Sequence, residues 1–113
     1  MPDHISIRPA TGTWVVRAGG AVLGESSDAL ELTEGDYPPV IYFPRADIAT
    51  AFLEPSDTIS TCPFKGQATY YGIAAKSGLI KDAVWSYEDP KDAVARIKGY
   101  LAFYTSKVAV EEV

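Results

Sequence analysis

Gln67-Ala68-Thr69-Tyr70-Tyr71-Gly72-Ile73-Ala74-Ala75-Lys76-Ser77-Gly78-Leu79-Ile80-Lys81-Asp82-Ala83-Val84-Trp85-Ser86-Tyr87 is the stretch that decides the fold. Two runs of strand composition, residues 67–75 and 79–87, lie around the break Lys76-Ser77-Gly78. Aromatic and β-branched side chains favour a pleated backbone, and a short glycine-containing break between two such runs reads as a hairpin. The pattern repeats upstream. Residues 13–18 and 21–24 flank Gly19-Gly20, where both residues tolerate the positive φ of a two-residue hairpin turn. Residues 29–34 alternate apolar and polar, as a half-buried strand does, and residues 34–39 form a loop. Strand composition returns at residues 40–43, and again at 100–104 and 108–110.

Two short helices are expected among these strands. The first covers residues 48–54, with Ile48, Phe52 and Leu53 on one face, Pro55 as its end and Asp47 as its N-cap; Pro44 could open it a turn earlier. The second begins with Asp89 as N-cap and Pro90 at the first helical position. It faces Ala93, Val94 and Ile97 to the core and stops at Gly99. Consecutive hairpins dominate and no βαβ unit repeats. The expected fold class is therefore mainly β or α+β, a curled antiparallel sheet or open barrel of roughly seven or eight strands with two short helices. No linker or repeat divides the chain, so residues 1–113 are read as a single domain.

Composition narrows the partners. Ten basic against fifteen acidic residues give a net charge of −5, which argues against a broad nucleic-acid footprint built of clustered Lys and Arg. A single cysteine cannot form an internal disulfide, which suits a reducing cytoplasm. The one histidine, His4, and that cysteine do not make a ligand set for zinc, so neither metal nor cofactor is expected. No apolar run reaches membrane-spanning length and no signal-peptide core follows Met1, so the expected location is the cytoplasm.

Chemistry concentrates in three blocks: Tyr42-Phe43-Pro44-Arg45-Ala46-Asp47, Thr61-Cys62-Pro63-Phe64-Lys65-Gly66 and Trp85-Ser86-Tyr87-Glu88-Asp89-Pro90. Cys62 reads either as a nucleophile or redox thiol activated by Lys65, or as a small buried hydrophobe before a turn. Lys65-Gly66 offers a point charge and a close backbone approach to an anion, or is a plain turn; it is not a phosphate-binding P-loop. Tyr42, Trp85 and Tyr87 can stack on a planar ligand or pack the core. Asp47 can orient Arg45 or Lys65, act as acid or base, or cap a helix.

These blocks, in this order and spacing, resemble a small bacterial family known as domain of unknown function four-two-seven, also labelled a nucleotidyltransferase domain. The resemblance runs over about residues 17–108. The label implies metal ions held by closely spaced carboxylates. The sequence has no Asp-x-Asp pair, and Glu25, Asp28 and Glu31 read as surface charge, so no catalytic residue is assigned. The leading expectation is a pocket for a small anionic or aromatic molecule, lined by Tyr42, Asp47, Cys62, Lys65, Trp85 and Tyr87. The alternatives are a structural or interaction module, as a homodimer or with another protein, and a nucleotide-processing enzyme.

Overall fold

The hairpin at the centre of the sequence forms. In the computed structural model, which describes residues 4–113, strands β7 (Gly66–Ala75) and β8 (Gly78–Ser86) pair antiparallel, from Ala75 opposite Gly78 to Thr69 opposite Ser86. A register shift interrupts them between Tyr71 and Ile73, and there Asp82 adopts φ 50°. A bulge of this kind bends a strand and strengthens its twist. The Gly19-Gly20 hairpin is equally direct: β2 (Trp14–Ala18) and β3 (Ala21–Ser26) meet across two glycines with φ of 58° and 85°.

The remaining strands are β1 (Ile5–Pro9), β4 (Leu30–Glu34), β5 (Val40–Tyr42), β6 (Leu53–Cys62), β9 (Ala102–Phe103) and β10 (Ala109–Glu112). They make three antiparallel sheets in the orders β1-β4-β5, β10-β2-β3 and β6-β7-β8-β9. Two isolated bridges add to these ladders, one between two sheets and one between β3 and the segment that links β5 to β6. Phe43 and Leu101 exchange backbone hydrogen bonds of 2.8 and 2.9 Å and tie the first sheet to the third. Gly24 pairs with Ile48, next to a 2.9 Å bond from Ala49 N–H to Leu23 O. The mainly β, antiparallel class is as expected. Among the described residues no sheet closes into a barrel, but ten strands in three sheets stand where one curled sheet or open barrel of roughly seven or eight strands was expected.

Side-chain alternation gives the joined sheet two buried faces. Phe43, Val84 and Phe103 enter one apolar cluster with Val16, Leu23, Ile73 and Leu101. Their chain neighbours Tyr42, Trp85 and Ala102 turn to a second, with Leu32, Ala68, Tyr87, Val94 and Ile97. A strand places successive side chains on opposite faces, so one residue step separates the two cores.

Both helices differ from expectation. Residues 48–54 hold no α-helix. Short 3-10 turns at Arg45–Asp47 and Thr50–Phe52 flank Ile48, which is buried in the bridge to Gly24. Leu53 already starts β6, and Pro55 lies inside that strand opposite Tyr71. A seven-residue helix is too short to repay nucleation, and the bridge claims its first residue. Gly24 makes the approach feasible, since a Cβ there would lie 2.4 Å from Asp47 O. Asp47 consequently closes a turn instead of capping a helix; its N–H bonds to Pro44 O at 3.0 Å. In the second segment Lys91, not Asp89, precedes a 3-10 run over Asp92–Ile97, with Val94 out of helical conformation. Lys91 N–H is drawn away to Lys65 O, at 3.0 Å, which delays the start. Gly99, with φ 75°, does stop the run.

Candidate functional site

Tyr42 sits at the end of the short strand β5, buried on the second core face. Trp85, on β8, donates its indole N–H to the Tyr42 hydroxyl oxygen at 3.3 Å, and the two rings meet edge to face with centroids 6.3 Å apart. Tyr104, just beyond β9, lies against Trp85 with centroids 4.5 Å apart. Tyr70 from β7 runs nearly parallel to Tyr104, and their hydroxyls share a 3.3 Å hydrogen bond. The four rings arrive from residue numbers far apart because β5, β9, β8 and β7 stand side by side.

The turn between β6 and β7, closed by Cys62 opposite Gly66, supplies Lys65. Its side chain folds inward and is only 8% exposed. The ammonium lies 2.5 Å from Glu34 Oε1 and 6.0 Å from the centre of the Tyr87 ring. A buried charge of this kind needs a partner, and Glu34 is that partner. His4 adds a second neighbour to Glu34 at 3.6 Å and packs edge-on against Phe64.

These groups line a cavity of about 710 Å³, a size suited to a small organic molecule. Eight of its lining residues are aromatic: Trp14, Tyr37, Tyr42, Tyr70, Trp85, Tyr87, Phe103 and Tyr104. Burial pushes the Tyr42 hydroxyl up to about 12, with the charge of Glu34 adding to it and the Trp85 hydrogen bond opposing it. Burial raises Tyr87 as well, and burial together with the Tyr70 hydrogen bond brings Tyr104 to about 12. All three phenols stay protonated near neutrality, so they serve as walls and hydrogen-bonding groups, not as bases.

Of the six residues expected to form a pocket, Tyr42, Lys65, Trp85 and Tyr87 converge on this cavity. Cys62 and Asp47 are outside its lining. Cys62 is half-buried and packs on the second core cluster. Asp47 orients neither Arg45 nor Lys65; its carboxylate accepts a 2.6 Å bond from the Ser26 hydroxyl, which in turn accepts the Asp28 N–H. Arg45 is committed elsewhere, to Gly99 O at 3.1 Å and to Glu88 at 3.1 Å, with its guanidinium over the Tyr71 ring. Hydrogen bonding from Tyr71 first, and then the Arg45 charge, holds Glu88 below the usual carboxylate range. The sequence blocks therefore divide. Phe43, Arg45, Asp47 and Ser86 hold the frame, while Tyr42 beside Phe43 and Trp85 and Tyr87 beside Ser86 face the cavity.

Sequence reasoning missed Glu34, Tyr70, Tyr104 and Trp14 as wall residues. Glu34 ends an alternating strand and carried no mark beyond charge; the three aromatics could have been found only by pairing strands correctly.

The metal ions of nucleotidyl transfer do not fit here. Among the described residues, the two carboxylates at the cavity are engaged, Glu31 by Arg8 at 2.7 Å and Glu34 by Lys65. Among the described residues, no three His, Cys, Asp or Glu side chains are grouped to hold an ion.

A family profile described as a domain of unknown function, DUF427, matches residues 6–113. No curated protein matches the chain.

Proposed function

We propose that this chain, which belongs to the DUF427 family, binds a small planar molecule in the aromatic cavity. The observation that carries the reading is the concentration of eight aromatic side chains around one cavity of about 710 Å³. Such walls offer broad apolar faces to a flat ring, and each stacked pair contributes about 0.5–1.5 kcal/mol beyond burial itself. Of the two ligand classes the sequence suggests, the aromatic one has the better support. The Lys65 ammonium that would recognise an anion is already held by Glu34. A single cysteine suits the reducing cytoplasm, where we place the protein. With a net charge of −5, nucleic acid has no part in this reading.

The test compares the wild type with Trp85→Leu in fluorescence titrations against a panel of flat heterocycles. Trp14 remains as a reporter in the variant. At least one compound should bind the wild type, and the variant should bind it about three- to tenfold more weakly, the loss of one stacking partner. Equal affinity in both proteins would remove the cavity from the account.

A further inference from the structure

We infer that the molecule taken by the cavity is a cation, with its positive charge spread over ring or methyl carbons. This rests on the cavity reading above and adds the sign of the ligand's charge. The side-chain N–H donors of the walls are spent, and what is left is neutral hydroxyls such as those of Tyr42 and Tyr87. The Trp85 N–H is spent on Tyr42 and the Trp14 N–H on Thr11 O, at 3.1 Å. The Tyr70 and Tyr104 hydroxyls bond to each other, and Tyr70 also bonds Ser60 at 2.8 Å. Lys65 is held at 2.5 Å by Glu34. An anion entering here would lose water and meet neutral hydroxyls but no unpaired cation among the described residues, a costly transfer. A diffuse cation has little hydration to lose, and the electron-rich faces of Trp and Tyr attract it.

The charge balance leans the same way. Among the described lining residues, Lys65 is the one Lys or Arg, against Glu31 and Glu34. Glu31 is paired by Arg8, but that arginine side chain is 69% exposed, so water screens much of its field inside the cavity. At the far side a second hollow shares Tyr70 and Tyr104 with the first and is lined by Asp82 and Lys107. Asp82 receives the Thr58 hydroxyl on Oδ2 at 2.7 Å, while its Oδ1 is shielded from solvent and has no partner among the described residues. Lys107 turns its ammonium to Lys81 O at 2.6 Å. Burial is the first cause of the raised Tyr42, Tyr87 and Tyr104 hydroxyls, and nearby negative charge adds to it, from Glu34 at Tyr42 and Tyr87 and from Asp82 at the more exposed Tyr104.

Three ligands of one ring size separate the outcomes: 1-methylquinolinium, quinoline and quinoline-2-carboxylate, titrated near neutral pH into the wild type, Glu34→Gln and Trp85→Leu. The cation should bind about tenfold more tightly than neutral quinoline, with the anion weakest. Glu34→Gln frees the Lys65 charge, so it should erode the cation's lead and strengthen the anion. Binding that depends on Trp85 but shows no preference for the cation, or favours the anion, overturns the charge inference and leaves the cavity reading standing. Failure of all three to bind, or binding indifferent to Trp85→Leu, removes both.

Discussion

Phe43→Ala is expected to lower the unfolding free energy by about 3–5 kcal/mol, the range for deleting a fully buried phenylalanine. Phe43 is 0% exposed and packs edge to face on Phe103, with centroids 5.7 Å apart. Its backbone carries the pair of bonds to Leu101 that joins the first sheet to the third. The substitution removes the ring and leaves those backbone bonds, so the loss measures packing at the join. Tyr42, one step along the strand, should lose its place against Trp85 as the join loosens. The check is chemical denaturation followed by far-UV circular dichroism. A loss below about 1 kcal/mol would mean that the two sheets are held together without this side chain.

Lys65→Met should also destabilise, although the position reads in sequence as an anion-binding lysine or a plain turn. Methionine keeps the apolar stem and removes the ammonium, leaving Glu34 without its nearest cation. Breaking a fully buried pair costs about 3–5 kcal/mol. Glu34 retains 23% exposure and has His4 nearby, so the expected cost here is smaller, about 2 kcal/mol. The double variant Lys65→Met with Glu34→Gln should recover most of it, because the stranded carboxylate is then gone. Melting curves of the two single variants and the double variant decide the matter. A Lys65→Met protein as stable as the wild type would show that the charge pair contributes nothing.

The strands that were legible share one feature: a buried face or a glycine turn. Residues 29–34 alternate because Leu30 and Leu32 are buried, and Gly19-Gly20 marked its hairpin through positive φ. β6 was not legible. Its sequence, Leu-Glu-Pro-Ser-Asp-Thr-Ile-Ser-Thr-Cys, is almost wholly exposed along a sheet edge, so no burial imprints a period on it. Pro55 and Asp57 are residues that blunt such an edge, and in sequence they read as a helix stop and a loop. β1 does carry the alternation, with Ile5 and Ile7 half-buried on the second core and Ser6 and Arg8 exposed, so its period is written in the sequence but spans only four residues before Pro9.

The candidate site was half legible. Tyr42, Lys65, Trp85 and Tyr87 stood out by residue type, and strand pairing brings them together. Asp47 stood out equally, yet its place one turn past Phe43 points it to Ser26. Lys65 was noticed as a charge, whereas the partner that decides its role, Glu34, lies 31 residues away. Contacts of that span are set by the path of the sheet, which local composition does not encode.

The most direct test of the cavity follows the two indole N–H groups by heteronuclear NMR during a titration with 1-methylquinolinium. Trp14 and Trp85 both line the cavity, and both indoles have defined acceptors, Thr11 O and the Tyr42 hydroxyl. Both indole resonances should move together and saturate, along with the methyl signals of Leu32 and Val40, which also line the cavity. Saturable shifts confined to the exposed Phe52 and Ile59 region, with the indoles unmoved, would contradict the cavity reading.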